Sequence, residues 1–92
     1  LDMNQTHGSV DINAVAAYME SITGGSSATW AHIIYNESKG IMHLSDYLTA
    51  THHGLFQSDT AYIGMTLAQQ CANAKTKYDS QGFWNAWLRW EQ

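Results

Sequence analysis

Ninety-two residues, 45% of them hydrophobic, suffice for one domain with a single small core, and no apolar run approaches the roughly 20 residues that a membrane-spanning helix needs. Four Lys or Arg against eight Asp or Glu give a formal charge of −4, which leaves no basic footprint for nucleic acid. Protonating the five histidines in an acidic medium would bring the chain to +1, so around pH 5 it would approach an anionic surface without repulsion.

Residues 1–9, LDMNQTHGS, are polar and aperiodic and read as a flexible leader. They begin without Met, as a processed or trimmed boundary would. From Val10 to Thr23, the residues Ile12, Val15, Ala16, Met19 and Ile22 follow helical spacing. Ser9 or Asp11 is the candidate cap of this helix and Gly24–Gly25 its stop. A second helix is predicted after the caps Ser26 and Ser27, running to about Ser38 with Gly40 as its end. Residues 41–53, IMHLSDYLTATHH, read mostly as structured loop, although Met42, Leu44, Tyr47 and Leu48 fit one short helical turn. GLFQ (54–57) is a short apolar segment opened by glycine.

Thr66 to Ser80 reads as a third helix with Leu67, Cys71, Ala74 and Tyr78 inward and Gly82 at its end. In the aromatic tail, Phe83, Trp84, Trp87, Leu88 and Trp90 surround two helical faces. The chain has neither an internal repeat nor a low-complexity tract, and the expected fold class is all-α. With no proline anywhere, its loops must be shaped by Gly and by hydrogen-bonding Ser, Thr, Asn and Asp. The single Cys71 sits at core spacing and is expected to be a buried, inert thiol. One cysteine does not decide the compartment.

One position breaks the pattern. Trp30, Ile33 and Ile34 form the buried stripe of the second helix, and the next residue on that face is Glu37. A carboxyl group held against apolar surface has a raised pKa, because desolvation disfavours its charged form. Such a group is suited to general-acid catalysis, including protonation of a glycosidic leaving oxygen. The plain alternative is that Glu37, in the last helical turn, tips into solvent.

ESKG (37–40) followed by GLFQ (54–57) resembles the goose-type lysozyme and lytic transglycosylase superfamily, where E-S-x-G ends a helix and G-L-[FM]-Q follows a loop. ATWAHIIYNES (28–38) looks like a segment of the small secreted transglycosylase-like domains, of the aggregation-promoting-factor type, in lactic acid bacteria. YDSQGFWNAW (78–87) is similar to their Y-x-x-Q-G-x-x-A-W ending. The resemblance spans roughly residues 14–88 and implies a small lysozyme-like helical domain at 10–92 with a glycan-binding cleft, and room for a β-turn or short strand near GLFQ.

What the resemblance implies for function is a secreted, cell-wall enzyme that cleaves the β-1,4 bond between N-acetylmuramic acid and N-acetylglucosamine in peptidoglycan strands. It would work as a monomer, without cofactor, nucleic acid or membrane insertion. Glu37 would be the catalytic acid and afterwards the base, with Ser38 supporting its carboxylate by a hydrogen bond. Gln57 and the backbone at Gly54 would line the glycan groove, and Tyr62 and Trp84 are candidates for stacking on sugar faces, beside Tyr78 and Trp87, for which core packing is the stronger expectation. Trp30 is read as core.

The chain departs from the family pattern at THHGLFQ, where small residues usually precede the GLFQ element, and at IMH (41–43), which replaces the usual Asn-Pro pair. His53 is a candidate for tuning the pH optimum. Adjacent His52 and His53 lack an obvious third ligand, so no metal site is expected. A second carboxylate, about 5 Å away for a retaining mechanism or roughly 6.5–9.5 Å for an inverting one, would have to come from Asp46, Asp59 or Asp79, none of which sits in a recognisable motif. That pattern suits the single-Glu transglycosylases. The alternative from another class is a non-catalytic module for glycan binding, adhesion or aggregation. A helical interaction domain with no glycan role stands behind both.

Overall fold

The computed structural model describes residues 1–44 and 50–89. Asp46, Tyr47, Leu48 and Trp90, for which the sequence raises expectations, lie outside the described residues. Among the described residues are three α-helices, α1 (Ile12–Thr23), α2 (Ser27–Ser38) and α3 (Leu67–Phe83), followed by a π-helical turn at Trp84–Leu88, and no strand. The fold is a small, mostly helical domain. No helix among the described residues is long and apolar enough to cross a membrane.

Each helix starts on a polar cap. Asp11 accepts from the Ala14 amide, Ser26 from Ala28, and Thr66 from Gln69, whose side chain reaches back to the Thr66 amide in a capping box. Of the two caps considered for α1, Asp11 is the one used. Glu20 of α1 also accepts from the Ser27 amide at 3.0 Å, placing a carboxylate at the positive end of α2. α1 stops at Gly24 in the left-handed conformation.

The inward residues of α1 (Val15, Ala16, Met19), α2 (Trp30, Ile33, Ile34) and α3 (Leu67, Cys71, Ala74) meet in one core with Met42, Leu55, Phe56 and Leu88. Burial pushes the Cys71 thiol up to about 12, so it stays protonated and unreactive. Gly82, at φ 70° and ψ 180°, turns the chain out of the path of α3. The aromatic tail can then fold back over α2.

Residues 1–9 do not hang free, although their polarity suggests a flexible leader. The amides of Leu67 and Ala68 donate to the carbonyls of Gln5 and Met3, and the Met42 amide donates to Gly8, each at 2.8–2.9 Å. Ser9 bridges Ile41 in antiparallel fashion, and Met3 packs against the core. The segment thus supplies acceptors for backbone N–H groups at the start of α3, which an α-helix cannot satisfy internally. Hydrophobic periodicity carries no trace of such backbone pairing.

Candidate active site

Three stretches far apart in sequence converge on Trp30. Its indole is fully buried, and its ring packs against Phe56 of GLFQ (5.7 Å between centroids), Tyr78 (5.5 Å), Phe83 (4.8 Å) and Trp87 (5.2 Å). These distances and the tilted or edge-on angles are those that aromatic quadrupoles favour. The buried polar atoms are matched as well. The Trp30 indole N–H donates to Thr23 Oγ1 (3.0 Å), and the Trp87 indole N–H donates to the Phe56 carbonyl (3.0 Å). Tyr78 and Trp87 therefore belong to the knot, as core packing anticipates.

GLFQ forms the tip of a tight turn whose base is an antiparallel bridge, with His53 and Ser58 exchanging both backbone hydrogen bonds at 3.1 Å. This bridge is the only β-like feature there, and it matches the turn expected near GLFQ. The turn is anchored from inside by Gln70 of α3, which is 2% exposed. Gln70 Oε1 accepts from the Leu55 amide (2.7 Å), and its Nε2 donates to the carbonyls of Met42 and Met65 (3.2 Å each). Gly54 is required at this point. It sits at φ +83°, and a Cβ there would lie 2.5 Å from Gln70 Oε1. Its role in the structure is thus to admit the Gln70 side chain. Gln57, also at positive φ (46°), turns its side-chain amide back onto the Gly54 carbonyl (2.9 Å).

Glu37 lies in the last turn of α2, half-buried. Among the described residues nothing hydrogen-bonds or ion-pairs with its carboxylate. Its pKa is raised above the ordinary glutamate value of 4.5 by desolvation, against smaller opposing coulombic effects of His52 and Lys77. His52 stands just before the GLFQ turn, its Nδ1 at 2.9 Å from Thr51 Oγ1. Lys77 comes from α3 and is held by Asp59, with Nζ 2.9 Å from the carboxylate. That pair keeps the Asp59 carboxyl below its usual range. The carboxyl therefore sits where α2, the base of the GLFQ turn and α3 come within electrostatic reach of one another.

The Ser38 hydroxyl does not reach Glu37. It is buried, donates to the Ile34 carbonyl (3.1 Å) and accepts from the Gly40 amide (3.2 Å), so it closes the end of α2. The reason is geometric: a serine next to Glu37 in a helix projects about 100° away from it. His53 Nε2 donates to the Ala50 carbonyl (3.1 Å), and its Nδ1 is buried without a hydrogen-bond partner, which makes His53 a component of the turn's base. Tyr62 and Trp84 keep open rings, 55% and 53% exposed. Of the candidate second carboxylates, Asp59 is engaged by Lys77 and Asp79 by Lys75 one helical turn away. Among the described residues no group of three or more His, Cys, Asp or Glu side chains is arranged to hold a metal ion.

Gln70 and Lys77 are absent from the sequence-derived site, and Asp59 enters it only as a possible second carboxylate, not as the partner of Lys77. A signal for two of them exists. Gln70 lies three residues after Leu67, and Lys77 three after Ala74, so both continue the buried stripe of α3 as polar interruptions, as Glu37 does on α2. Asp59 carries no comparable mark. In comparisons with known proteins, no family model, curated protein or solved structure matches this chain.

Proposed function

We propose that the chain is a peptidoglycan-cleaving enzyme of the lytic transglycosylase or lysozyme type, acting on the β-1,4 bond between N-acetylmuramic acid and N-acetylglucosamine. The observation that carries this reading is the half-buried Glu37 carboxyl, raised in pKa by desolvation, on the helix where the three motif-bearing stretches meet. A protonated Glu37 donates its proton to the glycosidic oxygen as the bond to the muramic acid C1 breaks, and the neighbouring N-acetyl oxygen bonds to C1. The Glu37 carboxylate then takes the proton of the C6 hydroxyl, whose oxygen displaces the N-acetyl oxygen at C1 and closes a 1,6-anhydro ring. One carboxylate serves both steps. Tyr62 and Trp84, with their exposed rings, are the aromatic faces available to sugars. Such a substrate implies a secreted protein working at the cell wall.

The test is Glu37→Gln on purified cell walls. Wild type is expected to clear a wall suspension, and the variant to bind walls while clearing them at least about 100-fold more slowly, the lower end of what a positioned general acid contributes. Wild type and variant that are equally inert but bind walls would instead establish a non-catalytic glycan-binding module. Mass spectrometry of the released muropeptides separates the products, since anhydro and reducing ends differ by one water.

A further inference from the structure

Two separate lines of contact run from residues 1–9 to the GLFQ turn, and both pass through the buried side chain of Gln70. Along the first, the Met42 amide donates to the Gly8 carbonyl (2.8 Å), and the Met42 carbonyl accepts from Gln70 Nε2 (3.2 Å). Along the second, the His7 ring meets the His43 ring edge-on, with centroids 6.5 Å apart. His43 Nε2 donates to the Met65 carbonyl (3.1 Å), since a carbonyl oxygen can only accept. That carbonyl also accepts from Gln70 Nε2 (3.2 Å), so imidazole and amide share its two lone pairs. On the far side of the same amide, Gln70 Oε1 accepts from the Leu55 amide of the GLFQ turn (2.7 Å). Both carbonyls that Gln70 holds are thus in contact, directly or through His43, with the first nine residues.

We propose that residues 1–9 are a strap that controls the GLFQ turn: seated, they hold the turn in order through Gln70, and displaced, they release it. The physical logic is the burial of the relay. Gln70 is 2% exposed, so water cannot replace a partner that moves away, and a buried polar group left unpaired costs more than its hydrogen bond contributes. The side-chain amide is planar, which fixes its donor and its acceptor relative to each other. A shift of the Met42 or Met65 carbonyl therefore draws Oε1 off the Leu55 amide or leaves a group unpaired. There is no slack at the turn, since a Cβ on Gly54 would lie 2.5 Å from the same Oε1. The strap is the element most easily displaced, because its residues are exposed or half-buried and Met3 is its anchor in the core. The meaning of this control for glycan binding rests on the proposed function, whereas the coupling of strap to turn does not.

The experiment is amide hydrogen exchange by NMR on the full chain, wild type against a strap variant that carries Met3→Ala and Gln5→Ala. The first substitution removes the anchor, and the second removes the side-chain amide that braces the strap through the carbonyls of His7 and Ser9. Exchange is expected to accelerate at Met42, Leu67 and Ala68, whose amides donate to the strap. At Leu55 it is expected to accelerate at least about tenfold, as loss of one buried hydrogen bond implies. Ile33, buried in α2, is expected to keep its wild-type rate. Gln70→Leu decides the route: in that background the strap variant adds nothing at Leu55 if the coupling runs through Gln70. Leu55 unmoved while Met42, Leu67 and Ala68 accelerate overturns the proposal, and so does no change at any of the four. Equal acceleration at Leu55 and Ile33 overturns it as well, since that is global loosening, as does an effect at Leu55 undiminished by Gln70→Leu. Where Gln70→Leu does not fold, Leu55 against Ile33 decides alone. Walls left uncleared by wild type would sink the enzymatic reading and leave this result standing.

Discussion

Trp30 and Glu37 lie two helical turns apart on the same face of α2, yet they meet opposite surroundings. Trp30 is enclosed by four aromatic rings from the GLFQ turn, α3 and the tail, and its one polar atom is bonded. Glu37 is only half-buried, has no hydrogen-bond partner among the described residues and lies within electrostatic reach of His52 and Lys77. The stripe on a helix decides which way a side chain points. What it meets is decided by the segments that cross over it, and here those segments bring aromatic rings to one end and charges to the other. The first end carries stability, and the second leaves a carboxyl group only half-buried.

Mutations should separate these two ends cleanly. Trp30→Ala removes the centre of the knot and is expected to destabilise the fold by about 3–5 kcal/mol, a large share of the roughly 5–15 kcal/mol of a typical domain. Denaturation in guanidinium chloride measures it. A loss below about 1 kcal/mol would mean that the aromatic rings pack adequately without it.

Gln70→Leu tests the support between the ends. It strips the Leu55 amide and the carbonyls of Met42 and Met65 of their side-chain partner, which should cost about 1–3 kcal/mol. Amide exchange at Leu55 should accelerate more than at Ile33 in the core of α2. Gly54→Ala strains the same turn from the other side, through its positive φ and the clash with Gln70. An expected loss of about 1–2 kcal/mol follows, again readable by denaturation.

The smallest effect lies at the acidic end and has a defined sign. Because the Glu37 pKa is raised in the folded state, the folded protein holds that proton more tightly than the unfolded chain does. Its contribution to stability is present at low pH and declines as pH climbs from 4.5 through the raised folded-state value. Asp59, whose pKa is lowered, contributes the other way, and its stabilisation is lost as pH falls from 3.8 through the folded-state value. Glu37→Gln is therefore expected to be slightly more stable than wild type at neutral pH, by about a few tenths of a kcal/mol given solvent screening. The two should converge as the medium becomes acidic. Thermal unfolding across pH checks this.

The helices were legible in the sequence because their determinants are local. Caps at Asp11, Ser26 and Thr66, stops at Gly24 and the 3.6-residue periodicity all act within a few residues of one another. The odd acid of α2 was legible for the same reason. Long-range pairing was not. Residues 1–9 look like a loose leader because their contribution is made with backbone carbonyls, which are identical in every residue. Ser38 beside Glu37 suggests a hydrogen bond between them, but helical geometry turns the hydroxyl onto the Ile34 carbonyl. The need for glycine at position 54 was not legible either, because it comes from Gln70, sixteen residues further along the chain. Each of these depends on a partner supplied by another element.

The end of α2 keeps a carboxyl group partly out of water, and the folded protein therefore holds its proton to a higher pH than a solvated glutamate does. Titrating the Glu37 carboxyl in the wild-type protein, by its carbon-13 shift, tests that claim most directly. A midpoint above 4.5 is expected, and a midpoint at or below 4.5 would mean that desolvation does not govern this carboxyl group.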